Sequence, residues 1–168
     1  MQHPTHEVKV TWLEQHGIDI LRISIAIIFF WFGFLKFFDA TSAAEEIAGT
    51  TIETISFGII PPPIALPVLA ILECTIGVGL LLKKWSRFVI PLLYFQMAGA
   101  ILPLLIFPDK TWSAFMVPTL LDQYIIKNFI LISAAIVISI VARGGKLIAD
   151  PVVAEKAKQV EEEKAASG

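Results

Sequence analysis

The sequence has few charged residues: Asp, Glu, Lys and Arg make up 17% of its 168 positions, against about 25% in an average soluble protein. The charges nearly balance, at a net −2, so there is no basic surface for nucleic acid. The single cysteine, Cys74, excludes an internal disulfide and dithiol redox chemistry within the chain. Walker A, GxSxG and HExxH patterns are also absent, which leaves no familiar catalytic motif.

Hydrophobic residues, in contrast, make up 56% of the chain and gather in long apolar runs. A helix that crosses the hydrocarbon core of a membrane needs about 20 predominantly apolar residues. The sequence provides such runs at residues 18–38, 64–82, 88–107 and 124–141. Strands of a membrane barrel are about ten residues long and alternate in polarity, unlike these continuous runs. We therefore predict an all-α integral membrane protein with a four-helix bundle over residues 18–145.

The positive charges predict how this bundle is oriented, because Lys and Arg concentrate in short cytoplasmic loops. They lie before or at the start of the first run, between the second and third runs, and after the fourth: Lys9, Arg22, Lys83, Lys84, Arg87, Arg143 and Lys146. All of these positions fall on one side of the bundle. The N-terminal segment 1–17 and the charged tail 146–168 are therefore both expected in the cytoplasm. Within the tail, Asp150-Pro151 is a typical helix start.

The connection of residues 39–63 is long for a hairpin and carries helix signals of its own. Ser42 and Glu45 have the spacing of a capping box, and isoleucines follow at helical intervals. We expect a short amphipathic helix on the outer face of the bundle. A plain linker is the alternative, since Gly49 and two threonines weaken a helix. The prolines at 61–63 favour an extended approach to the second run.

Polar side chains within the apolar runs are the candidate ligand-binding residues, because such groups are costly inside a membrane. They are Lys36, Glu73, Gln96, Lys127 and its neighbour Asn128. At 1.5 Å per residue, Glu73 and Gln96 lie roughly 13–15 Å from the cytoplasmic boundary and the two lysines roughly 21–24 Å from it. Long lysine stems can reach Glu73, which gives a polar pocket open to the outer leaflet. The alternative is that both lysines extend outward to the interface while Glu73 bonds to a neighbouring helix.

The sequence predicts neither a metal site nor an intrinsic cofactor. No histidine lies within an apolar run, which excludes a transmembrane bis-histidine haem. The three histidines, His3, His6 and His16, fall in the N-terminal segment, where we expect them to be solvated. A bound quinone or lipid is the ligand to consider, since some aromatic residues of the first run could line a pocket for a flat apolar molecule.

Three segments resemble the DoxX-like family of small four-helix membrane proteins: LRISIAIIFFWFGFLKFF, LPVLAILECTIGVGLLLKKW and YIIKNFILISAAIVI. The residues that fit the family pattern are Arg22, Gly33, Lys36, Glu73, Gly77, Gly79 and Lys127. Within the family, the chain resembles the branch that contains the membrane protein of bacterial reactive-chlorine resistance. The resemblance covers about residues 18–145 and implies a four-helix protein of the bacterial inner membrane. It also implies a link to thiosulfate:quinone oxidoreduction or to oxidant stress.

Together these features predict a DoxX-like membrane subunit or accessory protein that is not catalytic alone. Its pocket would hold a quinone, a lipid headgroup or a small anion within a respiratory or oxidant-stress assembly. The expected partners are the lipid bilayer and either a membrane-complex partner, such as a quinone-linked oxidoreductase, or a second copy of the chain; nucleic acid is not expected. The alternative is a small proton-coupled transporter or channel gated by Glu73, although the chain lacks an inverted repeat.

Overall fold

A computed structural model of the chain describes residues 12–38, 43–114, 117–119, 123, 125–145, 147 and 150–166. Within these residues the protein is helical apart from short connections and one small hairpin. Four sequence predictions fall outside the described residues. They concern the segment before Trp12, Ser42 of the capping box, Tyr124 at the start of the fourth apolar run, and Lys146.

The secondary-structure elements follow one another in a simple order. They are α1 (Trp12–Leu35), α2 (Ala43–Ile55), α3 (Pro62–Leu81), a 3₁₀ turn (Lys83–Trp85), α4 (Ser86–Ile101), α5 (Pro103–Ile106), α6 (Pro108–Thr111), β1 (Trp112–Ala114), β2 (Val117–Pro118), α7 (Asn128–Ala142) and α8 (Pro151–Ala166). Strands β1 and β2 pair antiparallel, with Trp112 opposite Pro118. Asp150 caps α8, since its Oδ1 accepts a hydrogen bond of 2.8 Å from the backbone N–H of Val152. The helix start predicted at Asp150-Pro151 is therefore confirmed.

Three helical segments are long and apolar enough to cross a membrane: Gln15–Leu35, Pro62–Leu81 and Arg87–Ile106. The third of them is interrupted between α4 and α5, because Pro103 has no N–H to continue the helical hydrogen bonding. Helix α7 is apolar but has 15 residues, which at 1.5 Å each extend about 22 Å, less than the hydrocarbon core of about 30 Å. This is the helix content of an all-α membrane protein, with three segments of spanning length in the described part of the chain.

The most extensive helix packing joins α1 to α3. A Cβ atom at Gly77 would lie 2.6 Å from the backbone nitrogen of Phe30, and one at Gly33 would lie 2.8 Å from the backbone nitrogen of Cys74. Only glycine permits two helix backbones to approach this closely. The buried core around this contact also draws on α4 and α7 and contains Ile25, Ala26, Phe29, Ile76, Leu80, Val89, Ile90, Leu93, Met97, Ala135 and Ile138.

Helix α2 lies in the connection where the sequence predicts a short helix, and it packs against α3. Ile47 and Thr51 are buried, and the Thr51 hydroxyl donates to the Ile47 carbonyl oxygen at 2.6 Å. Of the three prolines that follow, only Pro61 is extended, with φ −72° and ψ 158°. Pro62 already begins α3, because a proline in the first helical turn removes no internal hydrogen bond. The extended approach predicted for this segment is therefore limited to one residue.

Large apolar side chains cover the outside of the helices. Trp31 on α1, Phe95 on α4 and Ile130 on α7 are 61%, 72% and 71% exposed. A water-soluble monomer rarely exposes apolar side chains on this scale. Acyl chains of a bilayer are the environment that suits such a surface.

Candidate functional site

An ion pair between Lys36 and Glu73 joins the end of α1 to the middle of α3. The Lys36 Nζ atom lies 2.6 Å from Glu73 Oε2, and the two side chains are 13% and 10% exposed. Burial reduces screening by water, so the attraction is stronger than in an exposed pair, whose net contribution is at most about 1 kcal/mol. The pair therefore fixes the end of α1 against α3.

Gln96 on α4 is the third member of this cluster. Its Nε2 atom donates a hydrogen bond of 3.0 Å to Glu73 Oε1, and its side chain is buried. Each oxygen of Glu73 thus has a donor, as a buried carboxylate requires. Three elements of the fold supply one polar side chain each, and we refer to them as the Lys36–Glu73–Gln96 cluster.

Small residues on α1 and α3 explain why these side chains meet. Gly33 lies one helical turn before Lys36, and a Cβ atom there would be 2.8 Å from Glu73 Cβ and 3.1 Å from the carbonyl oxygen of Ala70. The absence of that Cβ lets α1 lie directly on α3 beside Glu73. The close approach of the two helices places the Lys36 ammonium group within reach of the carboxylate.

The other two residues predicted for this site, Lys127 and Asn128, lie at the start of α7. Lys127 is exposed and Asn128 is half-buried. The hydrogen-bond and ion-pair partners of Glu73 within the described ranges are Lys36 and Gln96. The cluster thus forms without these two residues, and their part in ligand binding stays a prediction.

The sequence analysis missed a second carboxylate near the cluster, that of Glu45 on α2. Glu45 is half-buried and lies within electrostatic range of Glu73. The sequence analysis used this residue as a helix-capping signal and did not include it among the ligand-binding residues. The signal that could have located it is the expected folding of the 39–63 helix over the outer end of the bundle, where Lys36 also lies.

Cys74 follows Glu73 in α3 but takes no part in the cluster's hydrogen bonds. Its Sγ atom lies 3.9 Å from the carbonyl oxygen of Phe30, at the limit of a weak thiol hydrogen bond. Among the residues that the structure describes, no three His, Cys, Asp or Glu side chains are grouped so that they could hold a metal ion. What the cluster supplies is hydrogen-bonding groups and charge.

At the other end of α1, Arg22 binds the end of α3. Its guanidinium donates to the backbone carbonyls of Leu80 and Leu81, the second at 3.1 Å, and pairs with Asp19 at 3.2 Å. These carbonyls belong to the last turn of α3 and have no N–H partner within the helix. A cation at this end also interacts favourably with the helix dipole. Arg22, which the sequence analysis used for orientation and family resemblance, is thus a structural residue as well.

Replacing Arg22 by methionine should lower the free energy of unfolding by about 2 kcal/mol, because one buried and one partly buried carbonyl lose a charged donor. Equilibrium unfolding in mixed micelles of dodecyl maltoside and SDS, followed by circular dichroism, measures this change. Arg143→Met removes an exposed arginine at the same end of the bundle and should change stability by less than about 0.5 kcal/mol. Equal losses in both variants would contradict the structural role of Arg22.

Comparison with known proteins adds the family. The sequence model of the DoxX family matches residues 17–107, which is more than half of the chain. The chain belongs to the DoxX family. The matched region of this DoxX protein contains the whole Lys36–Glu73–Gln96 cluster, whereas Lys127 and Asn128 lie beyond it. No match was found among curated proteins or among solved structures.

Family and fold agree on the environment of the chain. A DoxX protein with several apolar helices of spanning length is a multi-pass membrane protein, and the lipid bilayer is its immediate partner. The cluster lies between helices whose outer surfaces are apolar.

Proposed function

We propose that this DoxX protein is an integral membrane subunit or accessory protein, not catalytic alone, that binds a quinone at the Lys36–Glu73–Gln96 cluster. The observation that carries the proposal is the buried ion pair with its amide partner, placed between apolar helices. Buried ionisable groups in membrane helices usually serve ligands, protons or ion pairing. The electrons for quinone chemistry would come from another subunit of a respiratory or oxidant-stress assembly.

The proposal includes a fourth span and a defined orientation. Helix α7 packs against α4 and α1, and Tyr94 donates to the Ser139 hydroxyl at 3.3 Å. Helical hydrogen bonding begins before α7, where the N–H of Lys127 donates to the carbonyl oxygen of Gln123 at 3.2 Å. These contacts support α7 and the residues before it as a fourth span. The positive-inside rule supports our proposal that both termini are cytoplasmic. The bacterial inner membrane is proposed from the family resemblance.

The charges of the site favour a neutral ligand over an anion. The positive charge of Lys36 is already balanced by the Glu73 carboxylate, 2.6 Å away. The ammonium group therefore has little attraction left for a small anion or a phosphate headgroup. A quinone carries no charge and has two carbonyl oxygens that accept hydrogen bonds.

The hydrogen-bonding groups of the cluster leave donors for such a ligand. The ammonium group of Lys36 has three N–H bonds, of which one is directed at Glu73 and one at the Phe32 carbonyl oxygen at 3.4 Å. Gln96 donates one of its two N–H bonds to Glu73. Glu73 thus orients both donors, and each keeps a hydrogen for a quinone carbonyl.

Removing the amide of Gln96 should weaken quinone binding while leaving the ion pair intact. We expect decylubiquinone to quench the tryptophan fluorescence of the purified protein saturably, and Gln96→Met to raise its dissociation constant about tenfold. Gln123→Met, which removes an exposed glutamine, is the matched control and should bind like the wild type.

Three results would overturn this proposal. The first is quenching that rises linearly without saturation, as simple partitioning into the micelle produces. The second is an equal dissociation constant in the Gln96 and Gln123 variants. The third is pH-dependent chloride flux in liposomes that disappears in Glu73→Gln, which would establish the transporter instead.

A further inference from the structure

A cavity of about 460 Å³ opens at the end of the bundle opposite to the Lys36–Glu73–Gln96 cluster. Its walls come from the first turns of α1, the turn after α3, the start of α4 and the end of α7. Arg22 in this wall is fourteen residues from Lys36 along α1, or about 21 Å at the helical rise. The volume lies in the range of about 300–1,000 Å³ that is typical of sites for small ligands. The cavity is therefore a separate candidate site.

The charged side chains that the described residues contribute to its wall are Asp19, Arg22, Lys83 and Arg87, three cations and one anion. Asp19 pairs with Arg22 at 3.2 Å and with Lys83 at 3.3 Å. Arg87 is exposed and has no hydrogen bond or ion pair with any residue in the described part of the chain. Among the described residues, the cavity wall thus keeps two positive charges in excess of its one carboxylate, and Arg87 has no hydrogen-bond or ion-pair partner.

The remaining wall is apolar and comes from the last turns of α7, including Ile138 and Val141. A ligand for this cavity should therefore combine an anionic group with room for an apolar portion beside it. An arginine side chain matches the geometry of a phosphate with two parallel hydrogen bonds, and a lysine adds a point charge. Basic pockets between membrane helices at the cytoplasmic end are known to hold anionic lipid headgroups.

We propose that this cavity binds an anionic phosphate group, with Arg87 as the main donor and Lys83 as the second charge. Arg22 does not move to the ligand, because its guanidinium is fixed by the α3 carbonyls and Asp19. It forms the rigid base of the site. The phosphate has two sources, the headgroup of an anionic phospholipid and free phosphate, and the apolar wall favours the lipid.

Native mass spectrometry of the full chain in detergent measures the binding of individual lipids. We expect phosphatidylglycerol to bind more tightly than phosphatidylcholine, and Arg87→Gln to raise the dissociation constant for phosphatidylglycerol about tenfold. Lys83→Gln should also weaken binding. The matched control is Arg143→Gln, which removes the same charge at the same end of the bundle but outside the cavity wall and should leave the affinity unchanged.

A parallel titration with inorganic phosphate, read as a rise in the unfolding temperature, identifies the source of the group. An Arg87-dependent effect of phosphatidylglycerol alone assigns the lipid headgroup, and an Arg87-dependent effect of inorganic phosphate assigns free phosphate. Equal losses in the Arg87 and Arg143 variants, or no loss in either, would overturn the proposal. Arg87→Gln should not alter stability, since it breaks no hydrogen bond or ion pair within the described ranges, and it should not alter decylubiquinone binding.

Discussion

Replacing Lys36 by methionine should lower the free energy of unfolding by about 3 kcal/mol or more, because it leaves the Glu73 carboxylate buried without its cation. Gln96 offers Glu73 a single hydrogen bond from a neutral amide, which does not compensate for the lost charge. Equilibrium unfolding in mixed micelles of dodecyl maltoside and SDS provides the measurement. Lys110→Met, an exposed lysine 5.6 Å from the Phe107 ring, is the control and should cost less than about 1 kcal/mol.

The double variant Lys36→Met/Glu73→Leu tests whether the two residues act as a pair. Removing both charges together avoids an unpaired buried ion, so this variant should be more stable than Lys36→Met alone. A loss equal to the sum of the two single changes would show that the residues are independent, contrary to the 2.6 Å contact between them.

The double variant also separates stability from function. Apolar residues of similar volume often replace a buried ion pair without loss of stability. If the double variant folds well but no longer binds decylubiquinone, the ion pair serves the ligand. If the double variant still binds decylubiquinone, the ion pair only joins α1 to α3 and does not serve the ligand.

The Lys36–Glu73 contact could be expected from sequence because depth in a membrane follows from counting residues. The estimated heights of the two side chains differ by roughly 6 Å, which a lysine stem can close. Lys127 has a similar height, yet it is exposed at the start of α7. Height along a helix is set by residue number, but the direction of a side chain around the axis depends on which neighbours pack against it. One sequence does not contain that information.

The contacts of Arg22 and Glu45 could not be predicted from the sequence, because they join distant parts of the chain. Arg22 binds the Leu80 carbonyl, 58 residues away, and the packing of α2 on α3 brings Glu45 within electrostatic range of Glu73. The observed helix bounds differ from the bounds of the predicted apolar runs for another reason. α1 runs from Trp12 to Leu35 rather than from 18 to 38, since polar residues also form helix, whereas the apolar run was delimited by composition. The interruption at Pro103 was likewise hidden in an unbroken apolar run.

Replacing Gly77 by leucine should destabilise the protein by at least about 3 kcal/mol, the upper end of the usual effect of overpacking. A Cβ atom at this position would lie 2.6 Å from the Phe30 nitrogen and 2.8 Å from the Ala26 carbonyl oxygen. Both atoms belong to the backbone of α1, so no side-chain rotation can relieve the clash, and the two helices must separate. Separation would also lengthen the Lys36–Glu73 contact, so decylubiquinone binding should weaken together with stability.

Gly99→Leu on α4 is the matched control, because nothing lies within 4 Å of a Cβ atom built at that position. Leucine also favours helix over glycine by several tenths of a kcal/mol, so this variant should be as stable as the wild type or slightly more so. Unfolding in mixed micelles compares the two variants directly. Equal stability of the Gly77 and Gly99 variants would mean that α1 and α3 can move apart without loss, and that the close helix contact does not hold the cluster together.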